Sequence, residues 1–330
     1  MSITNAVTDN DNGTAAPATT ARPGRLWVID ALRGVALIAM ASYHFSWDLG
    51  FFGYIDPQMV GTGVFKMYAR SIAGSFLFLA GLSLVLGHYP VIRVRSFAIR
   101  FARIAGAALV ITIATWFAFP DAFIFFGILH AIAAASLIGL FFLRLPPVLT
   151  LIVAVAAFAA PLYLRSPVFE MPALWWVGLS QTLPRSNDYV PLLPWLAPFL
   201  AGIAIARIAL RFGWFDKLRS DGSARWKTIL ATAGRHSLLI YLVHQPLLFG
   251  CVALFAQILP PETPLHASCV SACAADNSKA FCTAFCDCTV KQLADKNLLG
   301  PLNAGQIDVA TDARIFTIQT QCTMEAQAKE

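Results

Sequence analysis

Charge is scarce in this chain. Of its 330 residues, 13% are Asp, Glu, Lys or Arg, while 58% are hydrophobic. A soluble domain carries about 25% charge and about 45–50% apolar residues. This composition has too few charges to cover a solvated surface, which argues against a soluble enzyme; mean hydropathy is +0.66. Cysteine is nearly missing from the apolar part, where Cys251 stands alone, so no disulfide framework holds that part together. No Walker loop, dinucleotide fingerprint or metalloprotease helix occurs. The net charge of +6 is not gathered into a basic stripe with interleaved aromatics, which argues against a nucleic-acid partner. A signal peptide of the usual form is also lacking. Residues 1–24 are polar and read as a disordered tail. The first apolar run after them carries Asp30 and Arg33 and no small-residue cleavage site, so it reads as a retained helix.

What is present is a series of long apolar runs. Crossing a bilayer takes about 20 apolar residues. Seven runs approach that length: 27–45, 64–87, 101–119, 123–143, 148–164, 192–210 and 238–259. Pro90 with Arg93 and Arg95, Pro120-Asp121, Arg144 with Pro146-Pro147, and the segment from Asp216 to Lys227 separate them. Spans of this kind must satisfy their backbone internally, so they are helical, and continuous apolar runs exclude barrel strands. An eighth stretch, 168–183, is shorter and contains Glu170, Pro172 and the Trp175-Trp176 pair; it reads as interfacial or re-entrant. The expected fold is an all-α, polytopic transmembrane helix bundle of about seven spans, eight if 168–183 also crosses. A small disulfide-rich helical tail follows. The expected division is a cytoplasmic tail over 1–24, a membrane domain over 25–259 and a cysteine-rich tail over 260–330.

Basic residues set the expected orientation. Arg22, Arg25, Arg93, Arg95, Arg100, Arg103, Arg144, Arg207, Arg211, Lys217, Arg219, Arg225 and Lys227 fall on one side of seven spans. Only Lys66, Arg70, Arg165 and Arg185 fall on the other. The positive-inside rule places the N-terminus in the cytoplasm and the tail outside. The tail holds six of the seven cysteines, Cys269, Cys273, Cys282, Cys286, Cys288 and Cys322, and an external compartment favours disulfides. Cys269 and Cys273 share one helix face, as do Cys282 and Cys286. Two antiparallel helices tied by Cys269–Cys286 and Cys273–Cys282 leave Cys288 for Cys322. This is one of fifteen pairings; a metal site and a redox Cys-x-Cys at 286–288 are rival readings.

Ionisable groups inside spans mark functional sites. Asp30, Arg33 and His44 lie within about 60° of one another at 100° per residue, forming one polar stripe on the first helix. Asp30 and Arg33 read either as a structural ion pair or as part of an anion site for a cofactor entering from the cytoplasm. His130 and His244 sit inside later runs, as bundle-facing hydrogen-bonding residues or as catalytic ones. His244 precedes Gln245-Pro246, where a proline kinks the helix. Asp48 and Asp56 follow His44; a carboxylate there orients a histidine or is simply solvated. Arg93 and Arg103 report topology and are candidates for cofactor phosphates. No metal site is expected in the bundle.

The stretch Arg25-Leu26-Trp27-Val28-Ile29-Asp30-Ala31-Leu32-Arg33-Gly34-Val35-Ala36, then Tyr43-His44-Phe45-Ser46-Trp47-Asp48-Leu49, resembles the opening of the bacterial heparan-alpha-glucosaminide N-acetyltransferase family. Gly127-Ile128-Leu129-His130 and Gly234-Arg235-His236-Ser237-Leu238-Leu239-Ile240-Tyr241-Leu242-Val243-His244-Gln245-Pro246 are similar to it as well. The last motif is shared with the wider group of integral-membrane acyltransferases. The resemblance covers about residues 25–258. It implies an acyltransferase of a bacterial inner membrane that moves an acetyl group from cytoplasmic acetyl-CoA to an amino sugar or other glycan acceptor outside. Arg33, Asp30, Arg93 and Arg103 would then serve the donor, and His44, His130, His244 and Asp48 the chemistry. The histidine that lysosomal members carry further along the first loop has no counterpart, since 46–63 contain none. The tail lies outside the family pattern. The partners expected are the lipid bilayer, the glycan acceptor and, in a homo-oligomer, a second copy. A small-solute transporter and a non-catalytic scaffold displaying the tail are the alternatives.

Overall fold

The computed structural model describes residues 26–218, 225–259, 264–274, 276–303, 307–309 and 312–328. The N-terminal segment read as disordered, and Arg219 in the basic stretch before the last span, lie outside the described residues. The described residues are helical, with no strand among them.

Seven apolar helices occupy the seven predicted runs. Five are long and apolar enough to cross a membrane: α1 (Trp27–Phe51), α3 (Gly63–His88), α4 (Val94–Ala118), α7 (Leu192–Arg211) and α10 (Ser237–Ile258). Two are shorter, α5 (Ile128–Phe142) and α6 (Pro147–Tyr163). The short helices α2 (Pro57–Gly61), α8 (Trp214–Lys217) and α9 (Arg225–Arg235) connect them. The tail comprises α11 (Pro264–Cys273), α12 (Lys279–Asp295), α13 (Leu299–Asn303) and α14 (Ala313–Gln327).

Lipid offers apolar helices no hydrophobic reason to associate, so close backbone approach takes over. Glycines provide it at two crossings, α3 with α7 and α1 with α9. A Cβ on Gly81 of α3 would sit 2.0 Å from the Phe199 carbonyl oxygen, and one on Gly202 of α7 would sit 2.1 Å from that of Phe78. A Cβ on Gly234 of α9 would lie 1.7 Å from the Asp30 carbonyl oxygen of α1, and one on Gly34 would lie 2.4 Å from that of Leu230. The core between α3, α5 and α7 is filled by Leu77, Leu84, Val85, Phe199, Leu200 and Ile203. Arg207 closes its end: one guanidinium nitrogen donates to the Leu143 and Leu145 carbonyls, each at 2.6 Å, and the group stacks over Tyr89.

Two stretches depart from the sequence expectation. The run 123–143 becomes helical only at Ile128. Residues before it are extended and pair with the connection ahead of α7, through Asn187 N–H to the Ala122 carbonyl and Val190 N–H to that of Phe126. These bonds satisfy backbone that a helix would otherwise have satisfied. The stretch 168–183 forms two 3₁₀ turns, Pro167–Glu170 and Pro172–Val177, because prolines at 167 and 172 interrupt it; it does not span.

In the tail, the cysteines pair as Cys269–Cys286, Cys273–Cys282 and Cys288–Cys322. The first two tie α11 to α12 and the third ties α12 to α14. Leu293, Leu298, Ile307, Ile315 and Ile318 pack beside them in a small core.

Candidate active site

Helices α1 and α10 pack together and bring two polar clusters face to face. From α1 come Tyr43, His44 and, one turn on, Asp48; from α10 come Tyr241, His244 and Gln245. The His44 and His244 rings meet edge to face with centroids 5.0 Å apart. Tyr43 packs against His44 at 5.8 Å and Tyr241 against His244 at 5.7 Å. The Gln245 amide donates to Asp48 Oδ1 at 2.8 Å, and Asp48 has 0% exposure. Pro246 lacks the N–H that would bond the Leu242 carbonyl, so α10 is loosened at this level.

The unsatisfied atoms matter most. Buried polar groups in native proteins nearly always find partners. Here three buried atoms, His244 Nε2, Asp48 Oδ2 and Gln245 Oε1, have none among the described residues. The His244 Nδ1 lies 2.7 Å from the Tyr241 carbonyl oxygen and therefore carries the proton. That leaves the lone pair on Nε2, a basic nitrogen with nothing bound to it. The lone pair, the carboxylate oxygen and the amide oxygen are all acceptors, and each calls for a hydrogen-bond donor.

His130 is differently placed. Its Nδ1 accepts from the Gly127 N–H at 3.2 Å, and its Nε2 stands 3.2 Å from the Thr112 hydroxyl. That hydroxyl donates to the Ile124 carbonyl at 2.7 Å, so Nε2 is the donor and both ring nitrogens are engaged. His130 closes the first turn of α5 and does not join the His44–His244 pair.

Near the start of α1, Arg33 bonds Asp30 at 3.0 Å and the Ser83 hydroxyl of α3. Asp30 is buried. The ion pair considered from the sequence is therefore present. Arg93 and Arg103 are exposed. The sequence groups Arg100 with Arg93, Arg95 and Arg103, as topology residues and candidates for cofactor phosphates, and the structure sets it apart from them. It is half-buried and has no anionic partner among the described residues.

Asp188 was also missed. It lies in the polar stretch Ser186-Asn187-Asp188, which reads as a solvated loop. Its Oδ2 accepts the Ile128 N–H at 3.0 Å, capping α5 from a distant part of the chain. A Cβ at Gly127 would fall 2.4 Å from that oxygen, so any larger residue there displaces the cap. Burial pushes the Asp188 carboxyl up to about 6, while the Ile128 N–H pulls it down.

Five helices long and apolar enough to cross a membrane, with a buried polar cluster between two of them, mark a multi-pass membrane protein. The model of the heparan-alpha-glucosaminide N-acetyltransferase catalytic family matches residues 25–246, and the chain belongs to that family. The matched range holds every residue of the site described above and stops before the tail. No curated protein and no solved structure gives a match. Membership supports an N-acetyltransferase enzyme.

Proposed function

We propose that the protein transfers an acetyl group from cytoplasmic acetyl-CoA to an amine or hydroxyl of a glycan-type acceptor at the outer side of a bacterial inner membrane. The observation that carries this reading is the unpartnered Nε2 of His244 beside His44 and the buried Asp48–Gln245 pair. Acetyl-CoA, when bound, supplies an activated acetyl thioester. The half-buried Arg100 guanidinium, which has no anionic partner among the described residues, suits its phosphates, because a cation withdrawn from water is stabilised by an anion.

The chain's own residues then have distinct tasks. His244 Nε2 takes a proton from the acceptor as its nitrogen or oxygen bonds to the acetyl carbon. It returns that proton to the sulfur as the carbon–sulfur bond breaks. The Asp48 carboxylate, fixed by Gln245, stabilises the imidazolium formed in between. The same Nε2 would also serve as a nucleophile on a two-step route. The helices contribute alignment by holding both reactants in one geometry. His130 keeps the first turn of α5 in place.

If all seven apolar helices cross, the chain's two ends fall on opposite sides of the membrane. The excess of Lys and Arg assigns the cytoplasm to the N-terminal side, and three disulfides suit an external tail.

The test is release of free thiol from acetyl-CoA by purified protein in the presence of glucosamine. Turnover should fall about 10²- to 10⁴-fold in His244→Ala, the size of a lost acid–base group. Full activity in a His44→Ala, His244→Ala double variant, or none in the unmodified protein, refutes the assignment.

A further inference from the structure

The reacting groups lie beneath a cluster of phenylalanines. Phe51 and Phe52 stand three and four residues beyond Asp48, where α1 ends, and Phe249 stands four beyond Gln245 on α10. Phe119, which follows α4, completes the cluster. Ring centroids are 5.2 Å apart for Phe51 and Phe249, 5.0 Å for Phe52 and Phe249, 6.4 Å for Phe51 and Phe119, and 6.5 Å for Phe119 and Phe249. These are distances of rings in contact, so the cluster joins α1, α4 and α10 at one level. Trp47 stacks on Phe51 at 5.4 Å. Beyond the cluster, Tyr54 packs on Phe255 at 5.6 Å and donates its hydroxyl to the Leu259 carbonyl at 2.5 Å. The polar groups on the inner side of these rings are closed off from solvent. Asp48 has 0% exposure, and its Oδ2, Gln245 Oε1 and His244 Nε2 are all buried.

We propose that Phe51, Phe52, Phe119 and Phe249 form an apolar seal that keeps water of the outer compartment from the acetyl thioester, so that the site transfers its acetyl group instead of hydrolysing the donor. This rests on the acyl-transfer reading and adds what decides between the two fates of the donor. Water bonding to the acetyl carbon as the carbon–sulfur bond breaks gives acetate, the free thiol and one proton. His244 Nε2 would assist that attack as it assists attack by the acceptor. A general base beside an activated ester therefore needs a barrier to water. The acceptor passes the seal when the outer end of α10 tilts. Along that helix only Val252 is buried, and the backbone ladder is interrupted at Pro246, just below Phe249.

Two measurements on the full-length protein test the seal. The first follows labelling of His44→Cys, in a Cys251→Ser background, by a membrane-impermeant methanethiosulfonate added outside sealed vesicles with the tail facing outward. Adding Phe52→Ala and Phe249→Ala should speed labelling by at least about tenfold, the effect of removing a barrier to water. The second keeps His44 and follows thiol release from acetyl-CoA, with glucosamine and without any acceptor. The same two alanines should raise acceptor-free release by about tenfold and lower the acetylated product formed per thiol. Loss of packing alone would slow both reactions and leave that ratio where it was. Unchanged labelling, or an unchanged ratio of product to thiol, in the folded variant overturns the proposal. If the variant does not fold, Phe51→Ala decides, because that ring is already 51% exposed, and unchanged labelling there overturns the proposal. Faster labelling in a protein that never releases thiol keeps the seal and removes the acetyltransferase reading.

Discussion

Glycine joins the helices of residues 26–259, and sulfur joins those of the tail. At Gly81, Gly202 and Gly234 the helix backbones touch, leaving no room for even a methyl group. Between α11, α12 and α14 the joints are three disulfides around a core of a few Leu and Ile side chains. The difference follows from the surroundings. Apolar helices in lipid gain nothing by hiding from a solvent as apolar as themselves, so they associate where surfaces fit most closely. A short polar segment in water cannot bury enough apolar area to hold itself together, and crosslinks supply what the core does not. Each device would be out of place in the other region.

The sharpest way to break this contrast is at a glycine. Gly202→Leu should push α7 away from Phe78 of α3, and overpacking against rigid backbone costs about 1–3 kcal/mol or more. Loss of a monodisperse peak on size exclusion is expected, with all three tail disulfides still found by peptide mapping under non-reducing conditions. Disulfides lost together with the bundle would show that the tail depends on it. Next comes the tail itself. Replacing Cys288 and Cys322 by Ser should destabilise it by about 2–5 kcal/mol. Hydrogen exchange should quicken over α12 and α14, while acetyl transfer stays at its unmodified rate. A fall in activity would join the two regions functionally.

The smallest effect concerns Asp188. Its folded carboxyl titrates at about 6 against 3.8 for an ordinary aspartate, so between these values the folded state keeps a proton that the unfolded state has released. Its stabilising share is complete below the lower value and is lost as pH rises through about 6. Melting temperature should therefore decline between about pH 5 and about pH 7.5 by more in the unmodified protein than in Asp188→Asn. Equal declines would locate the titration elsewhere, and an effect confined to the tail would reverse the comparison.

Patterns local in sequence proved the most legible. The four-residue spacing of Cys269 and Cys273, and of Cys282 and Cys286, places sulfurs on single helix faces, and the pairing follows from packing those faces together. Hydropathy located all seven apolar helices but not the start of α5. The extended residues before Ile128 are as apolar as the helix, and what unwinds them is a backbone partner some sixty positions away, at Asn187 and Val190. His44, Asp48 and His244 stand out as polar residues within apolar runs. Gln245 stands beside the kink-forming Pro246, yet nothing local tells that its amide reaches Asp48. Asp188 was invisible, and Arg100 not distinguished from its neighbours, for a related reason. Among Ser186 and Asn187, or among Arg93, Arg95 and Arg103, they look like ordinary loop and topology residues until folding singles them out.

One consequence follows from the way α1 serves two places at once. Arg33 and His44 belong to one unbroken helix, eleven residues and about 16 Å apart. Their separation and phase are fixed by covalent pitch alone, like two cams on one shaft. A single residue inserted between them would turn His44 by about 100° relative to Arg33, taking it out of step with His244 while leaving its chemistry intact.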